Sequence, residues 1–190
     1  MSIDATDEEL IALLADNSDL AIERIFQKYY EYLCNIIYRY LRDGALAEDL
    51  AQDVFMELWR KQESIQIKTS LKAYLKRAAV NKTLNFLRDN KITFDGEEEL
   101  PDIQGNTTSV TEKMEAEELQ EQINQAIDGL PERCRMIFLL SRFEDMSYKE
   151  IAQKLDISVK TVENQISKAL KILRVALGPF LSLMLIWLGA

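Results

Sequence analysis

Apolar residues return every three or four positions along most of this chain, and the breaks between the runs divide it into helices. Asp7 to Ala15 predicts a short helix, with Leu10, Ile11, Leu13 and Leu14 apolar. The cluster Asp16-Asn17-Ser18-Asp19 punctuates it. Leu20 to Leu41 predicts a long helix rich in aromatics, ended by Arg42-Asp43-Gly44. In the next helix, Ala45 to Lys61, the pairs Leu46/Ala47, Leu50/Ala51, Val54/Phe55 and Leu58/Trp59 repeat every four residues. That is a dense buried stripe, and the opposite face is acidic: Glu48, Asp49, Gln52, Asp53 and Glu57. A short polar loop, Gln62 to Thr69, leads into a fourth helix, Ser70 to Asp89.

The pattern then lapses. From Lys91 to Thr111, Gly, Pro, acids and small polar residues follow one another without apolar period, which reads as a linker. Ser109 or Thr111 starts the next helix, to about Asp128, and Pro131 opens another, to Phe143. Two short amphipathic segments follow, parted by Asp156-Ile157-Ser158. Ser147 with Glu150 forms a capping box for the first, and Ser158 is a suitable N-cap for the second. On a 100° wheel, Val159, Val162, Ile166, Ala169, Leu170 and Leu173 share one face of that second helix. Lys160, Thr161, Asn164, Ser167, Lys168 and Lys171 fall opposite, with Glu163 and Gln165 assigned to the core edge. One face is fixed to a small core, and the other offers amides, hydroxyls and ammonium groups. That is what entry into the major groove requires, so the segment reads as helix-turn-helix.

Charge sharpens this picture. The chain carries a net −9, which as a uniform charge would repel DNA, but the charge is segregated. Met1 to Gln27 holds seven acids and one Arg, read as solubilising surface, and Asp95 to Glu121 holds ten acids and one Lys. Lys68 to Lys91 has seven basic residues and one Asp, and Ser147 to Arg174 six basic and three acidic. Two basic segments separated by an acidic one predict two places of nucleic-acid contact. On the fourth helix Lys68, Lys72, Lys76 and Lys82 lie within an arc of about 120°. Beside a loop and aromatics, this is the composition of a single-strand binder.

The remaining inventory is exclusionary. Histidine is absent, which removes Ser-His and Cys-His pairs and every His-containing zinc site. No Gly-rich phosphate loop occurs, so neither an enzyme nor a cofactor or metal site is expected. Cys34 and Cys134 lie in apolar helical patterns and read as buried thiols. An acidic N-terminus lacks the basic start of a signal peptide, which places the expected site of action in the cytoplasm. After Gly178-Pro179, expected to stop the last helix, Phe180 to Leu188 is apolar at eight of nine positions. That is shorter than the ~20 residues of a membrane span. The segment either packs on its own domain or serves as a ligand for another protein.

With those residues in view, the chain resembles the extracytoplasmic-function (ECF) sigma factors of bacterial RNA polymerase over nearly its whole length. Phe26-Gln27-Lys28-Tyr29-Tyr30 and the run AEDLAQDVFMELW from Ala47 to Trp59 resemble sigma region 2. The run LKAYLKRAAVN from Leu71 to Asn81 looks like its promoter-melting part. LPERCRMIFLL from Leu130 and MSYKEIA from Met146 resemble region 4. The resemblance implies an all-α protein of two small helical domains joined by an acidic flexible linker. A region 2-like bundle covers 1–91, the linker 92–112, a region 4-like helix-turn-helix domain 113–178 and a hydrophobic tail 179–190.

It also implies roles. Asp49, Gln52, Asp53, Phe55 and Trp59 would dock on core RNA polymerase, whose β′ and β subunits are the expected partners. Lys68, Lys72, Lys76, Asn81 and Lys82 would meet the single-stranded −10 element. Ser158, Lys160, Thr161, Asn164, Ser167, Lys168 and Lys171 would meet the duplex −35 element. Gln165 stands where many relatives carry Arg. An anti-sigma factor is a further expected partner. A helix-turn-helix also ends response regulators, but those carry a strand-containing domain in front, and no strand pattern occurs here. A helical adaptor leaves the two basic segments unexplained.

Overall fold

The computed structural model describes residues 5–16, 18–62, 65, 67, 70–90 and 116–188; for 116–118 and 179–188 it describes the backbone. The described residues form helices and no strand, and the chain divides into two compact units, 1–91 and 92–190. Lys68, the acidic segment 92–112 and the expected helix start at Ser109 or Thr111 lie outside the described residues.

The first unit holds α1 (Asp7–Asp16), α2 (Ser18–Leu41), α3 (Gly44–Lys61) and α4 (Leu71–Asp89). α2 is the central element, packed on α1, α3 and α4. Its residues Ile25, Leu33 and Ile37 are fully buried against Leu10, Leu58, Leu71, Leu75, Leu84 and Leu87 of the others. Each such side chain contributes about 1.5–3 kcal/mol by leaving water. The α2–α3 corner turns at Arg42, whose φ is 56°, and not at Gly44. Asp43 then caps α3, its carboxylate accepting from the Leu46 amide at 3.0 Å. Ser70 caps α4, its Oγ accepting from the Ala73 amide at 3.2 Å.

The N-terminal acids were expected to be solvated surface, but Asp7 is a clasp. Its carboxylate accepts from the Tyr29 hydroxyl on α2, from Lys28 Nζ at 3.2 Å, and from the Lys72 amide of α4 at 3.2 Å. Burial alone would raise the Asp7 pKa, but the bonds from Tyr29, Lys28 and the Lys72 amide outweigh it and hold it below the ordinary value. One carboxylate thus joins three helices.

The second unit holds α5 (Ala116–Asp128), α6 (Glu132–Phe143), α7 (Tyr148–Leu155) and α8 (Val159–Leu188). α8 packs on α5, α6 and α7. At the α5–α6 turn the buried Arg135 donates to the Leu130 carbonyl at 3.2 Å and the Asp128 carbonyl at 3.4 Å. The capping box of α7 is complete: the Glu150 amide donates to Ser147 Oγ, and the Ser147 amide to Glu150 Oε2 at 2.8 Å. Asp156 takes the left-handed conformation, φ 55° and ψ 47°. Short polar side chains tolerate it better than branched ones. The amides of Asp156 and Ile157 both donate to the Ala152 carbonyl, closing the turn.

Three expectations need correction here. Gly178-Pro179 does not stop the last helix; α8 continues to Leu188. Proline removes one amide donor, but the usual clash with the preceding residue involves that residue's Cβ, which Gly178 lacks. Extension of a long, already nucleated helix then outweighs the lost bond. Val159 and Leu170 were assigned to the core face but are 37% and 43% exposed, whereas Ile172 is buried. The packing of α6 and α7 turns the core toward Ile172, away from Val159 and Leu170. The thiols behave unequally: Cys134 is buried and donates to Gln165 Oε1 at 2.8 Å, while Cys34 is half-buried.

Candidate nucleic-acid and polymerase interfaces

The helix-turn-helix presents the beginning of α8 to solvent because α7 and α6 cover its opposite side. Val162, Ile166, Ala169, Ile172 and Leu173 are buried, and Lys160, Asn164, Ser167 and Lys171 are exposed. Ser158 acts as the N-cap, its Oγ accepting from the Thr161 amide at 2.9 Å and sharing a 2.8 Å bond with Thr161 Oγ1. Both hydroxyls are therefore engaged in starting the helix, and Thr161 and Lys168 are half-buried flanks of the face. The outward centre is Lys160, Asn164, Ser167 and Lys171. Gln165 sits at the core edge, as the wheel places it, holding Cys134.

Glu163 is a correction. It was assigned to the core side, but it is exposed and its Oε2 lies 3.3 Å from Lys160 Nζ. A carboxylate therefore shares the outward face with the first lysine of the helix. The wheel put Glu163 at an edge, and the shift of the core toward Ile172 resolved that edge toward solvent.

In the first unit, the lysines of α4 share one arc, as the wheel places them, but their surroundings differ. Lys72 stands over the Tyr32 ring at 4.9 Å, Lys76 is half-buried, and Lys82 forms an ion pair with Asp53 of α3 at 2.9 Å. These lysines share an arc of the helix with Leu71, Leu75, Ala79 and Thr83, all of which are buried. The arc therefore faces the bundle along most of its length: Lys72 is exposed near the start of the helix, while Lys76 and Lys82 are half-buried at the edges. The solvent side of α4 carries Arg77, Asn85 and Arg88, with Asn81 half-exposed beside them. A cleft of about 420 Å³ between α3 and α4 is lined by Tyr74, Arg77, Asn81, Lys82, Asn85 and Lys61, among others. Arg77, Tyr74 and Asn85 are not among the residues that the sequence singles out. Their signal in the sequence is the spacing of polar residues at 77, 81, 85 and 88, on the face away from Lys72 and Lys76.

On α3, Glu48, Asp49, Gln52 and Asp53 are exposed as expected. Phe55 is a further correction: it is 4% exposed, with its ring 5.0 Å from Phe26 at 60°. It lies in the apolar stripe beside Val54 and cannot touch a partner surface. Met56 and Trp59 are instead 47% and 46% exposed, and Trp59 Nε1 donates to Asp19 on α2 at 3.2 Å. The outer side of α3 is thus an apolar spot rimmed by acids, the makeup of a protein-docking patch. No cluster of His, Cys, Asp or Glu able to hold a metal occurs among the described residues. Among them, too, no helix is long and apolar enough to cross a membrane.

The family comparisons agree with this layout. Residues 25–92 match the model of sigma-70 region 2, and residues 120–173 that of sigma-70 region 4. The chain is 28% identical over 188 residues to the RNA polymerase sigma-H factor of Pseudomonas aeruginosa, covering 92% of this chain and 95% of that protein. It is 28% identical over 178 residues to the ECF RNA polymerase sigma-E factor of Escherichia coli K12, covering 89% and 93%. Among solved structures, CnrH in complex with the cytosolic domain of CnrY is 21% identical, covers 92% of this chain and 99% of that one, and has a TM-score of 0.46. Two sigma family models in the expected order, together with full-length relatives, show that the chain belongs to the ECF group of sigma-70 factors and acts in transcription initiation.

Proposed function

We propose that unit 1–91 docks on core RNA polymerase and meets the −10 element, and that a domain spanning 113–178 reads the −35 element. The carrying observation is the N-capped α8, whose buried stripe leaves Lys160, Asn164, Ser167 and Lys171 pointing outward. Amide and ammonium donors on one exposed helix face suit guanine and adenine edges and the flanking phosphates. Ser158 and Thr161 then act by setting the helix start, and Lys168 as a phosphate contact at the flank.

In the first unit, Asp49, Gln52, Asp53, Met56 and Trp59 form the docking surface for the largest polymerase subunits. Asn81 and Lys82, joined by Arg77 and Tyr74 in the α3–α4 cleft, hold the unpaired −10 strand. Lys72 and Lys76 contribute long-range charge, and Lys68 is retained in the same role. Residues 92–112 serve as the acidic connector. The protein is a non-enzymatic specificity subunit, works in the cytoplasm where the polymerase is, and is restrained there by an anti-sigma factor. Run-off transcription with core polymerase on fragmented genomic DNA tests the whole reading: discrete start sites must depend on this protein. Transcripts identical with and without it would overturn it.

A further inference from the structure

The acid on the outward face of α8 has a chemical use of its own. Between Val159 and Arg174, Glu163 is the only acidic residue. It is held beside Lys160 at 3.3 Å, the two side chains being 46% and 75% exposed. A carboxylate facing DNA is repelled by phosphates, and it partly neutralises the ammonium that would otherwise bind one. Its place there is favourable only against a hydrogen-bond donor. The donors on base edges in the major groove are cytosine N4 and adenine N6.

The neighbouring lysine decides between them. Nζ and Oε2 lie side by side, a donor next to an acceptor. In one G·C pair, guanine O6 and cytosine N4 are hydrogen-bonded to each other and so stand about 2.9 Å apart. The Lys160–Glu163 spacing matches that separation, ammonium to O6 and N7, carboxylate to the outer N4 hydrogen. At an A·T pair the carboxylate would meet adenine N6, but the ammonium would then reach a single acceptor, N7 on one side or thymine O4 beside the methyl on the other, where guanine offers O6 and N7 together. We propose that Glu163 is a specificity-determining residue. Together with Lys160 it reads a single C·G base pair of the upstream promoter element, the carboxylate accepting from cytosine. This rests on the assignment of α8 to the −35 duplex.

The test is transcription by the complete holoenzyme from a promoter library randomised across the −35 region, followed by sequencing of the transcribed templates. Wild type, Glu163→Ala, Glu163→Gln and Lys160→Ala are compared. Glu163 is exposed, and an unchanged thermal melt of each variant excludes misfolding. Wild type is expected to favour C·G at one position by about tenfold over the next base. Glu163→Ala and Glu163→Gln should each reduce that preference to less than about twofold, with preferences at other positions kept. Lys160→Ala should weaken the same position and not a different one. If Glu163→Ala instead raises use of all templates evenly, the residue only repels phosphate and the inference is overturned alone. If wild type shows no base preference anywhere upstream, the −35 reading falls and the inference falls with it.

Discussion

Removing the Asp7 carboxylate isolates a single tie between α1, α2 and α4. In Asp7→Ala the part-buried Tyr29 hydroxyl loses its acceptor, the Lys72 amide loses its bond to Asp7 and Lys28 loses an ion pair. A bond from a part-buried phenol to a carboxylate is worth about 1.5–3 kcal/mol. The exposed ion pair contributes less than about 1 kcal/mol. Asp7→Ala should therefore lower stability of the first unit by about 2–3 kcal/mol. Asp7 also opens α1, so part of the loss is the helix-dipole contribution of an N-terminal acid. A double-mutant cycle with Tyr29→Phe cancels that part and should leave a coupling of about 1–2 kcal/mol.

The measurement is urea unfolding of the full chain, followed by Trp59 fluorescence in a Trp187→Phe background, so that the signal comes from the first unit. The folded-state pKa of Asp7 is depressed below its ordinary value. Its contribution is then fully present above that value and is lost as pH falls through it toward the depressed folded-state value. The gap between wild type and Asp7→Asn should accordingly close on acidification. A coupling below about 0.3 kcal/mol, inside the usual additivity error, refutes the clasp.

Other outcomes follow from the same geometry. Asn164→Ala should weaken −35 binding by about 1–3 kcal/mol through loss of a base-edge contact, with core polymerase affinity unchanged in a pull-down. Reversing Asp49 to Lys should abolish core binding while gel-shift of −35 duplex persists. Reversing Asp53 as well is a poorer test, because it would set two ammonium groups against each other at Lys82. Asp156→Gly should be neutral or stabilising by up to about 1 kcal/mol at this left-handed position, and Asp156→Val destabilising, as thermal melts will show. Deleting Phe180–Ala190 should leave core-dependent transcription intact or raised; loss of the cooperative melt of the second unit would make those residues part of its core instead.

Local chemistry wrote much of this molecule into the sequence. The capping box at Ser147 and Glu150, the cap at Ser158, the apolar spacing of α3 and the helix-turn-helix all depend on residues within a few positions of one another, so periodicity and cap chemistry determined them. What tertiary packing alone decided was the rotation of each helix about its own axis. A wheel orders residues around a helix but does not say which edge its neighbours will cover. For that reason Glu163 emerged on the outward face, Val159 and Leu170 lay bare, and Phe55 was enclosed by Phe26. The lysines of α4 were likewise divided among Tyr32, Asp53 and the bundle edge. The joining of Asp7 to Lys28, Tyr29 and Lys72 spans up to 65 residues of chain. No local pattern encodes such a contact; it exists because three helices converge there and a carboxylate can satisfy donors from two of them at once.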